Sequence, residues 1–122
     1  MRLALTALIA ISCLFVLAGN PAQAQVPKTA SVGFNNKTDL NVIIQGFSIV
    51  NGSKRYGPPL QLKKNGSMAF ESNVPPGPRY YTVYDANQPA KVLLRDSVLI
   101  QNREVSLDLV QEGNMLRIKA SQ

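Results

Sequence analysis

The chain has 122 residues, a net charge of +6 and a hydrophobic content of 45%, enough for one small domain with a modest core. It contains no His, no Trp and a single Cys. This composition excludes zinc, copper and haem sites built on His or Cys, and it excludes Ser-His-Asp and Cys-His catalytic systems. We therefore expect no metal and no cofactor.

The N-terminus has the three parts of an export signal. Arg2 supplies a positive start, residues 3–18 form an apolar run, and Ala22-Gln23-Ala24 offers the small-x-small pattern of a cleavage site. We predict a signal peptide over residues 1–24, a flexible new N-terminus over residues 25–29 and a folded domain over residues 30–122. Removing Arg2 lowers Lys+Arg from 13 to 12 against 7 Asp+Glu, so the exported part has a net charge of +5.

Two other fates of this leader are open. An uncleaved leader would act as an anchor, but its apolar run is shorter than the roughly 20 residues that span a bilayer. Lipidation at Cys13 would need a polar tether, whereas residues 14–18 are apolar. We therefore predict an exported protein, periplasmic or secreted, with no stable membrane span after cleavage.

From residue 30 onward the sequence is typical of an all-β domain. Short apolar runs rich in Val, Ile, Leu, Tyr and Phe alternate with clusters of Gly, Pro and Asn, and no window has a helical period. The predicted strands cover residues 31–35, 41–50, 54–57, 60–62, 67–71, 79–85, 92–94, 98–100, 105–109 and 116–119.

Local sequence signals mark the turns between these strands. Asn51-Gly52 and Asn65-Gly66 each predict a tight hairpin turn, and residues 111–114 join the last two strands. The prolines within residues 74–78 exclude the interior of a strand ladder there, because proline has no N–H to donate.

The run over residues 41–50 allows two interpretations. A regular strand places Phe47 and Ile49 on the face opposite Val42 and Ile44, whereas a bulge at Gln45-Gly46 places all four on one side. In either case seven to nine short strands drawn from these ten segments fit a single small antiparallel β-sandwich, immunoglobulin-like or transthyretin-like, with a small closed barrel as the alternative. The alternation predicts an inward-facing set of Val42, Ile44, Phe70, Tyr81, Val83, Val98, Ile100, Leu107, Leu109, Leu116 and Ile118.

One stretch resembles a known family. Residues 65–70, followed by Val74-Pro75-Pro76-Gly77 and Tyr80-Tyr81-Thr82-Val83, are similar to the G-x-x-x-F … PPG-x-Y-x-V passage of carboxypeptidase-regulatory-like and transthyretin-like sandwiches. Pro78 stands as an insertion in that pattern. Such domains serve as accessory, stalk or binding modules, so the resemblance implies a sandwich fold without an active site of its own.

Four basic residues form the first candidate site. Lys54-Arg55 and Lys63-Lys64 flank the segment that holds Tyr56, and a hairpin at Asn51-Gly52 could bring them to one sheet edge. A basic edge could bind an anionic cell-envelope polymer or another exported protein. The alternative is that these charges only protect the edge against aggregation.

Two tyrosines form the second candidate site. Tyr80 and Tyr84 share one face of their strand with Thr82, opposite the face of Tyr81 and Val83. They could stack on sugar rings or hold a partner peptide. The alternative is cross-strand packing, in which aromatic residues are common.

The acidic residues offer little chemistry. Asp85 and Asn87 have the spacing of two ligands in a calcium loop, but a turn explains them better because further acidic ligands are missing. Asp96 and Glu104 are carboxylates that an acid–base hydrolase could use. Glycosylation sequons begin at Asn36, Asn51 and Asn65.

These observations predict a non-enzymatic exported module that binds or scaffolds. Nucleic acid is not an expected partner, because an exported protein rarely meets it. A small hydrolase that uses carboxylates is one alternative, although the sequence has no S-x-x-K and no G-x-S-x-G motif. An inhibitor or chaperone-like module that acts by strand addition is the other.

Overall fold

The computed structural model describes residues 28–121, so the predicted leader and its cleavage site lie outside the described residues. Within that range the chain forms strands and no helix, and hence no helix of membrane-spanning length. The strands are β1 (Ala30–Asn36), β2 (Val42–Val50), β3 (Ser53–Tyr56), β4 (Leu60–Leu62), β5 (Met68–Val74), β6 (Gly77–Asp85), β7 (Gln88–Ile100), β8 (Glu104–Glu112) and β9 (Met115–Ala120).

The nine strands form two sheets, which confirms the predicted all-β sandwich. A four-stranded sheet has the order β5-β1-β8-β9, and a five-stranded sheet has the order β3-β2-β6-β7 with β4 also paired to β2. Neighbouring strands are antiparallel except for β1 and β8, which run parallel through the middle of the four-stranded sheet. The two sheet faces that pack against each other are called the inner faces, and the two that face solvent are called the outer faces.

Positive φ angles at the Asn-Gly pairs explain the tight turns. Asn51 and Gly52 have φ angles of 52° and 79°, and Asn65 and Gly66 have 66° and 104°. Asn and Gly tolerate this left-handed region better than other residues, and the two-residue turn at Asn51-Gly52 matches the twist of the β2–β3 hairpin. The hairpin predicted at Asn51-Gly52 is confirmed. Asn65-Gly66 forms a tight turn as predicted but not a hairpin, because it joins β4 of one sheet to β5 of the other.

Strand β2 is regular, so of the two interpretations the one without a bulge at Gln45-Gly46 is correct. Its pairing with β3 and β6 continues without a register shift, and burial alternates residue by residue, with Phe47 facing outward. The alternation turns Gly46 inward, and the Tyr81 ring occupies the space that a side chain there would need: a Cβ would lie 2.6 Å from that ring.

Strand β7 is one long element rather than the two short strands predicted at residues 92–94 and 98–100. It follows β6 from Gly77 to Asp85, and residues 95–97, where the break was predicted, pair in regular register with residues 80–82; the register shifts lie nearer the start of β7, around Tyr84. Pro78 lies inside β6 but pairs only with Leu99 of β7, because pairing with β2 begins at Tyr80. Its missing N–H therefore interrupts no ladder between β6 and β2.

The core lies between the inner faces. It consists of Ala30, Val32, Phe34, Val42, Ile44, Leu62, Val74, Tyr81, Val83, Ile100, Leu107, Leu109 and Leu116, with Val98 and Ile118 packed against it.

Phe70 is the error in the predicted set, since it lies on the outer face and is 63% exposed. There its ring covers Gly33, the residue opposite it on β1. Phe34, which the prediction missed, packs edge-on against Tyr81 in the core.

Candidate functional site

Three aromatic side chains form a row across the outer face of the five-stranded sheet. Tyr56 of β3, Phe47 of β2 and Tyr80 of β6 lie directly opposite one another in the strand register. The ring centroids of Phe47 and Tyr56 are 5.3 Å apart, and those of Phe47 and Tyr80 are 5.1 Å apart with 23° between the ring planes. We call Tyr56, Phe47 and Tyr80 the aromatic row. Its members are partly or fully exposed, so the row presents apolar surface to solvent.

Two cations flank the aromatic row. The Nζ atom of Lys54 lies 4.9 Å from the centroid of the Phe47 ring, a cation–π contact. Arg95 lies on β7 opposite Thr82, which makes it the diagonal neighbour of Tyr80. An open depression of about 540 Å³ lies beside Tyr80, and both cations line it. The arrangement combines ring faces with positive charge, which suits an anionic partner that also has flat or apolar surface.

The predicted basic residues form two separate pairs rather than one cluster. Lys54 lies opposite Ile49 at one end of β2, whereas Lys63 and Lys64 follow Leu62, which lies opposite Val42 at the other end. At the usual rise along a strand these positions are about 23 Å apart. Arg55 lies opposite the buried Ser48 and therefore points to the other side of β3 from Lys54.

The two predicted tyrosines share the outer face but occupy different rows. Tyr80 belongs to the aromatic row, while Tyr84 lies opposite Ile43 and is half-buried, about 13 Å further along β6. Sequence reasoning missed Phe47, Tyr56 and Arg95 as members of this surface. The first two could have been found, because a two-residue turn at Asn51-Gly52 implies that Phe47 pairs with Tyr56.

Charge is distributed differently over the two sheets. On the four-stranded sheet Lys37 pairs with Asp108 at 3.0 Å, and Arg117 and Lys119 pair with Glu112 at 3.1 and 2.6 Å. On the five-stranded sheet, the cations beside the aromatic row have no carboxylate within ion-pair distance in residues 28–121. The positive charge beside the aromatic row is therefore not neutralised by a neighbouring carboxylate of that range.

A buried ion pair underlies the aromatic row. Arg79 of β6 donates from Nη2 to Glu71 Oε1 at 2.5 Å and from Nε to Glu71 Oε2 at 3.3 Å, so the pair is bidentate and joins the two sheets. Nη1 of Arg79 also donates to Ser48 at 3.0 Å, and Tyr81 Oη donates to Glu71 Oε2 at 2.6 Å. Glu71 is 2% exposed and Arg79 is 3% exposed.

The surroundings of this ion pair close it off from solvent. Gly57 packs against it so tightly that a Cβ would lie 2.6 Å from both Arg79 Nη2 and Glu71 Oε1. Burial, strengthened by the hydrogen bond to Glu71, raises the pKa of Tyr81 far above its usual value. Burial is the largest influence on Arg79 and alone would lower its pKa, but the hydrogen bond to Glu71, the negative charge of Glu71 and smaller contributions from Tyr81 together outweigh it, so the pKa is raised. Arg79 is therefore charged and Tyr81 neutral at neutral pH, and together with Glu71 they hold β5, β6 and β2 together.

The remaining carboxylates do not converge. Asp96 lies on β7 and Glu104 on β8, so the two belong to different sheets and line different depressions. Asp85 accepts a hydrogen bond from the Asn87 N–H at 2.9 Å, as in a turn. In residues 28–121 no group of three or more His, Cys, Asp or Glu side chains is arranged to hold a metal ion.

A larger depression of about 760 Å³ lies at the start of β1. It is polar, and Arg103 and Glu104 are its charged lining residues. Both are exposed, and no other charged residue in the part of the chain that the structure describes lines the depression. It therefore lacks the buried, converging groups that mark a site of chemistry, and the aromatic row is the stronger candidate.

Comparison with known proteins gives a structural likeness without a family. No protein-family model and no curated protein matches the chain. The chain is similar to a solved structure described as the NMR structure of the protein from Eubacterium rectale, with a TM-score of 0.49 and 11% sequence identity over 78% of this chain and 90% of that one. A likeness at this level supports no inference about function. The resemblance to carboxypeptidase-regulatory-like and transthyretin-like sandwiches stays a prediction.

Proposed function

We propose that this protein is an exported, non-enzymatic binding module that holds an anionic partner of the cell envelope on the outer face of its five-stranded sheet. The observation that carries the proposal is the aromatic row flanked by Lys54 and Arg95. The export step rests on the leader sequence, and the binding step rests on the surface.

The energetics favour a binding role for this surface. Three neighbouring aromatic residues with exposed surface cost hydration free energy unless a partner covers them, and aromatic residues contribute much of the energy of binding surfaces. The adjacent cations are not neutralised by carboxylates of the same sheet. Their field attracts an anionic partner over about 8 Å at physiological salt.

The placement of the carboxylates supports a non-enzymatic role. Glu71, the one fully buried carboxylate of residues 28–121, is sealed under Gly57 and committed to Arg79. Asp96 accepts a hydrogen bond from the neighbouring Ser97 N–H at 2.8 Å. Neither geometry leaves an acid and a base facing one reacting bond, as a hydrolase requires.

Charge reversal at two places on the sheet tests the proposal. The variant Lys54→Glu/Arg95→Glu should lose most of its retention on isolated cell-envelope material, and raised salt should weaken the unmodified protein in the same way. The matched control is Lys63→Glu/Lys64→Glu, which makes the same change in net charge at the far end of β2. Both variants should fold normally, because all four side chains are exposed.

Three outcomes are decisive in this experiment. Loss of retention in the first variant alone supports binding at the aromatic row. Equal loss in both variants would show that total charge governs binding. Full retention of the first variant would show that these cations only protect the sheet, and the proposal would be wrong.

A further inference from the structure

The ring of Tyr80 has one covered face and one open face. Phe47 covers the first, with ring centroids 5.1 Å apart and nearly parallel planes. On the other side, β7 places Ser97 directly opposite Tyr80, and a serine side chain is too short to cover a tyrosine ring. The depression of about 540 Å³ opens at this point. Its volume lies within the range of small-ligand sites, about 300–1,000 Å³, and it is wide enough for one ring of a longer chain.

The polar groups around this open ring face are of two kinds. Arg95 offers a planar fork of donors that matches a carboxylate. Thr82 and Ser97 lie on the same face of the sheet as this ring and offer hydroxyl groups. Asp96 pairs with the inward-facing Tyr81, so its carboxylate lies on the other side of β7. A ligand here therefore meets a positive group and two neutral hydroxyls within one strand step of the same aromatic ring.

This mixture discriminates among anionic partners. A run of acidic side chains brings carboxylates without a ring or hydroxyl groups, so it would leave the Tyr80 face uncovered. A sugar acid brings an apolar ring face for Tyr80, a carboxylate for Arg95 and hydroxyl groups that can hydrogen-bond with Thr82 and Ser97. Every feature of the depression then has a counterpart.

We infer that the depression beside Tyr80 binds an acidic sugar residue of an anionic polysaccharide, with the sugar ring on Tyr80 and the carboxylate on Arg95. This inference rests on the proposed function, because it names the class of anionic partner that the same face would hold. Lys54, above Phe47, would meet the next acidic group along the polymer.

Four soluble probes test the assignment by calorimetric or NMR titration of the purified protein. Oligogalacturonate and hyaluronan oligosaccharides carry both ring and carboxylate, methyl-esterified oligogalacturonate keeps the ring without the charge, and poly-L-glutamate keeps the charge without the ring. At least one acidic glycan should bind about tenfold or more tightly than both single-feature probes, a difference of about 1.4 kcal/mol in binding free energy.

Three single variants locate the binding site. Tyr80→Ala should weaken binding of the acidic glycan by about three- to tenfold and leave poly-L-glutamate unaffected. Arg95→Gln should remove the preference for the free acid over its methyl ester. Tyr84→Ala is the matched control, since this tyrosine lies on the same face outside the depression, and it should bind as the unmodified protein does.

The inference and the proposed function fail in different ways. If neither acidic glycan binds more tightly than poly-L-glutamate, or if Tyr80→Ala has no effect, the sugar assignment is wrong and an acidic protein becomes the partner to seek. The proposed function would survive that result if Lys54→Glu/Arg95→Glu still lost retention on envelope material. Both fail if that charge reversal is also without effect.

Discussion

Removing the charge of Glu71 should destabilise the whole domain, because it leaves the Arg79 guanidinium buried without a counter-ion. In Glu71→Gln, one of the two side-chain atoms that face Arg79 becomes an NH₂ group, so a donor meets a donor where a 2.5 or 3.3 Å bond existed. Breaking a buried pair in this way costs about 3–5 kcal/mol. Since small domains have only about 5–15 kcal/mol in total, the midpoint of thermal unfolding should fall by at least about 12 °C.

A double-mutant cycle separates the pair from its two members. Arg79→Gln should cost a similar amount, because it leaves the Glu71 carboxylate buried with Tyr81 as its remaining side-chain donor. The double variant Glu71→Gln/Arg79→Gln restores neutrality and should be more stable than the sum of the single losses predicts, by on the order of 2 kcal/mol. Urea denaturation followed by circular dichroism measures all four proteins.

A milder variant covers the case in which the charge variants do not fold. Ser48→Ala removes the hydroxyl that accepts from Arg79 Nη1 at 3.0 Å and should cost about 1–2 kcal/mol. Losses below about 1 kcal/mol in both charge variants would mean that water reaches the pair, and strictly additive losses would mean that Glu71 and Arg79 do not interact. Either result would refute the reasoning.

Three further substitutions have expected outcomes. Leu107→Ala should cost about 2–5 kcal/mol in urea denaturation, because this side chain is 3% exposed; a loss below about 1 kcal/mol would place it on the outer face. Tyr81→Phe should cost about 1–3 kcal/mol near pH 7 through the lost bond to Glu71. Because burial raises the pKa of Tyr81, the folded state holds the phenol proton more tightly than the unfolded chain does, so the stability that Tyr81 contributes is complete below about pH 10 and declines above it. The difference in unfolding free energy between the unmodified protein and Tyr81→Phe should therefore narrow by about pH 11, and a constant difference would contradict this. The Ser121 hydroxyl, and then Lys37, lower the pKa of Asp108, so the stability that the ionised Asp108 contributes is present at neutral pH and is lost as pH falls below about 4. In thermal unfolding scans, the midpoint of Asp108→Asn should therefore fall less steeply at acid pH than that of the unmodified protein. An equally steep fall in both proteins would be evidence against this.

Local pairing could be predicted from the sequence because it depends on short-range geometry. The Asn51-Gly52 turn leaves two residues between its strands, so it pairs Val50 with Ser53. Counting away from the turn one residue at a time on each strand, it then pairs Phe47 with Tyr56. Alternation likewise assigned Tyr80 and Tyr84 to the outer face. The choice between a regular strand and a bulge at Gln45-Gly46 could not be made from the sequence, because the bulge turns the apolar Phe47 toward the core, whereas apolar residues are also common at protein surfaces.

Non-local features could not be predicted in this way. Phe70 is exposed because β1 places Gly33 opposite it, and nothing near Phe70 in the sequence identifies that neighbour. Glu71 is buried because Arg79 and Tyr81 satisfy it from the opposite sheet, against the usual preference of glutamate for water. The distance between Lys54 and Lys63 likewise depends on where β3 and β4 join β2, which the nearby sequence does not show. The sequence therefore suggested one basic edge where the fold has two separate pairs.

The parallel pairing of β1 with β8 also determines the order in which the molecule can fold. The hairpins β2–β3 and β8–β9 close between near neighbours, whereas β1 must find a partner strand almost at the far end of the chain, with Phe34 beside Leu107. Such distant pairing makes folding slow, because the entropy of closing a long loop is lost before the contacts form. A growing chain therefore cannot complete the four-stranded sheet until β8 and β9 have been synthesised. The domain would remain open throughout most of its synthesis, which suits the proposed export, because an unfolded chain can be threaded through a narrow channel.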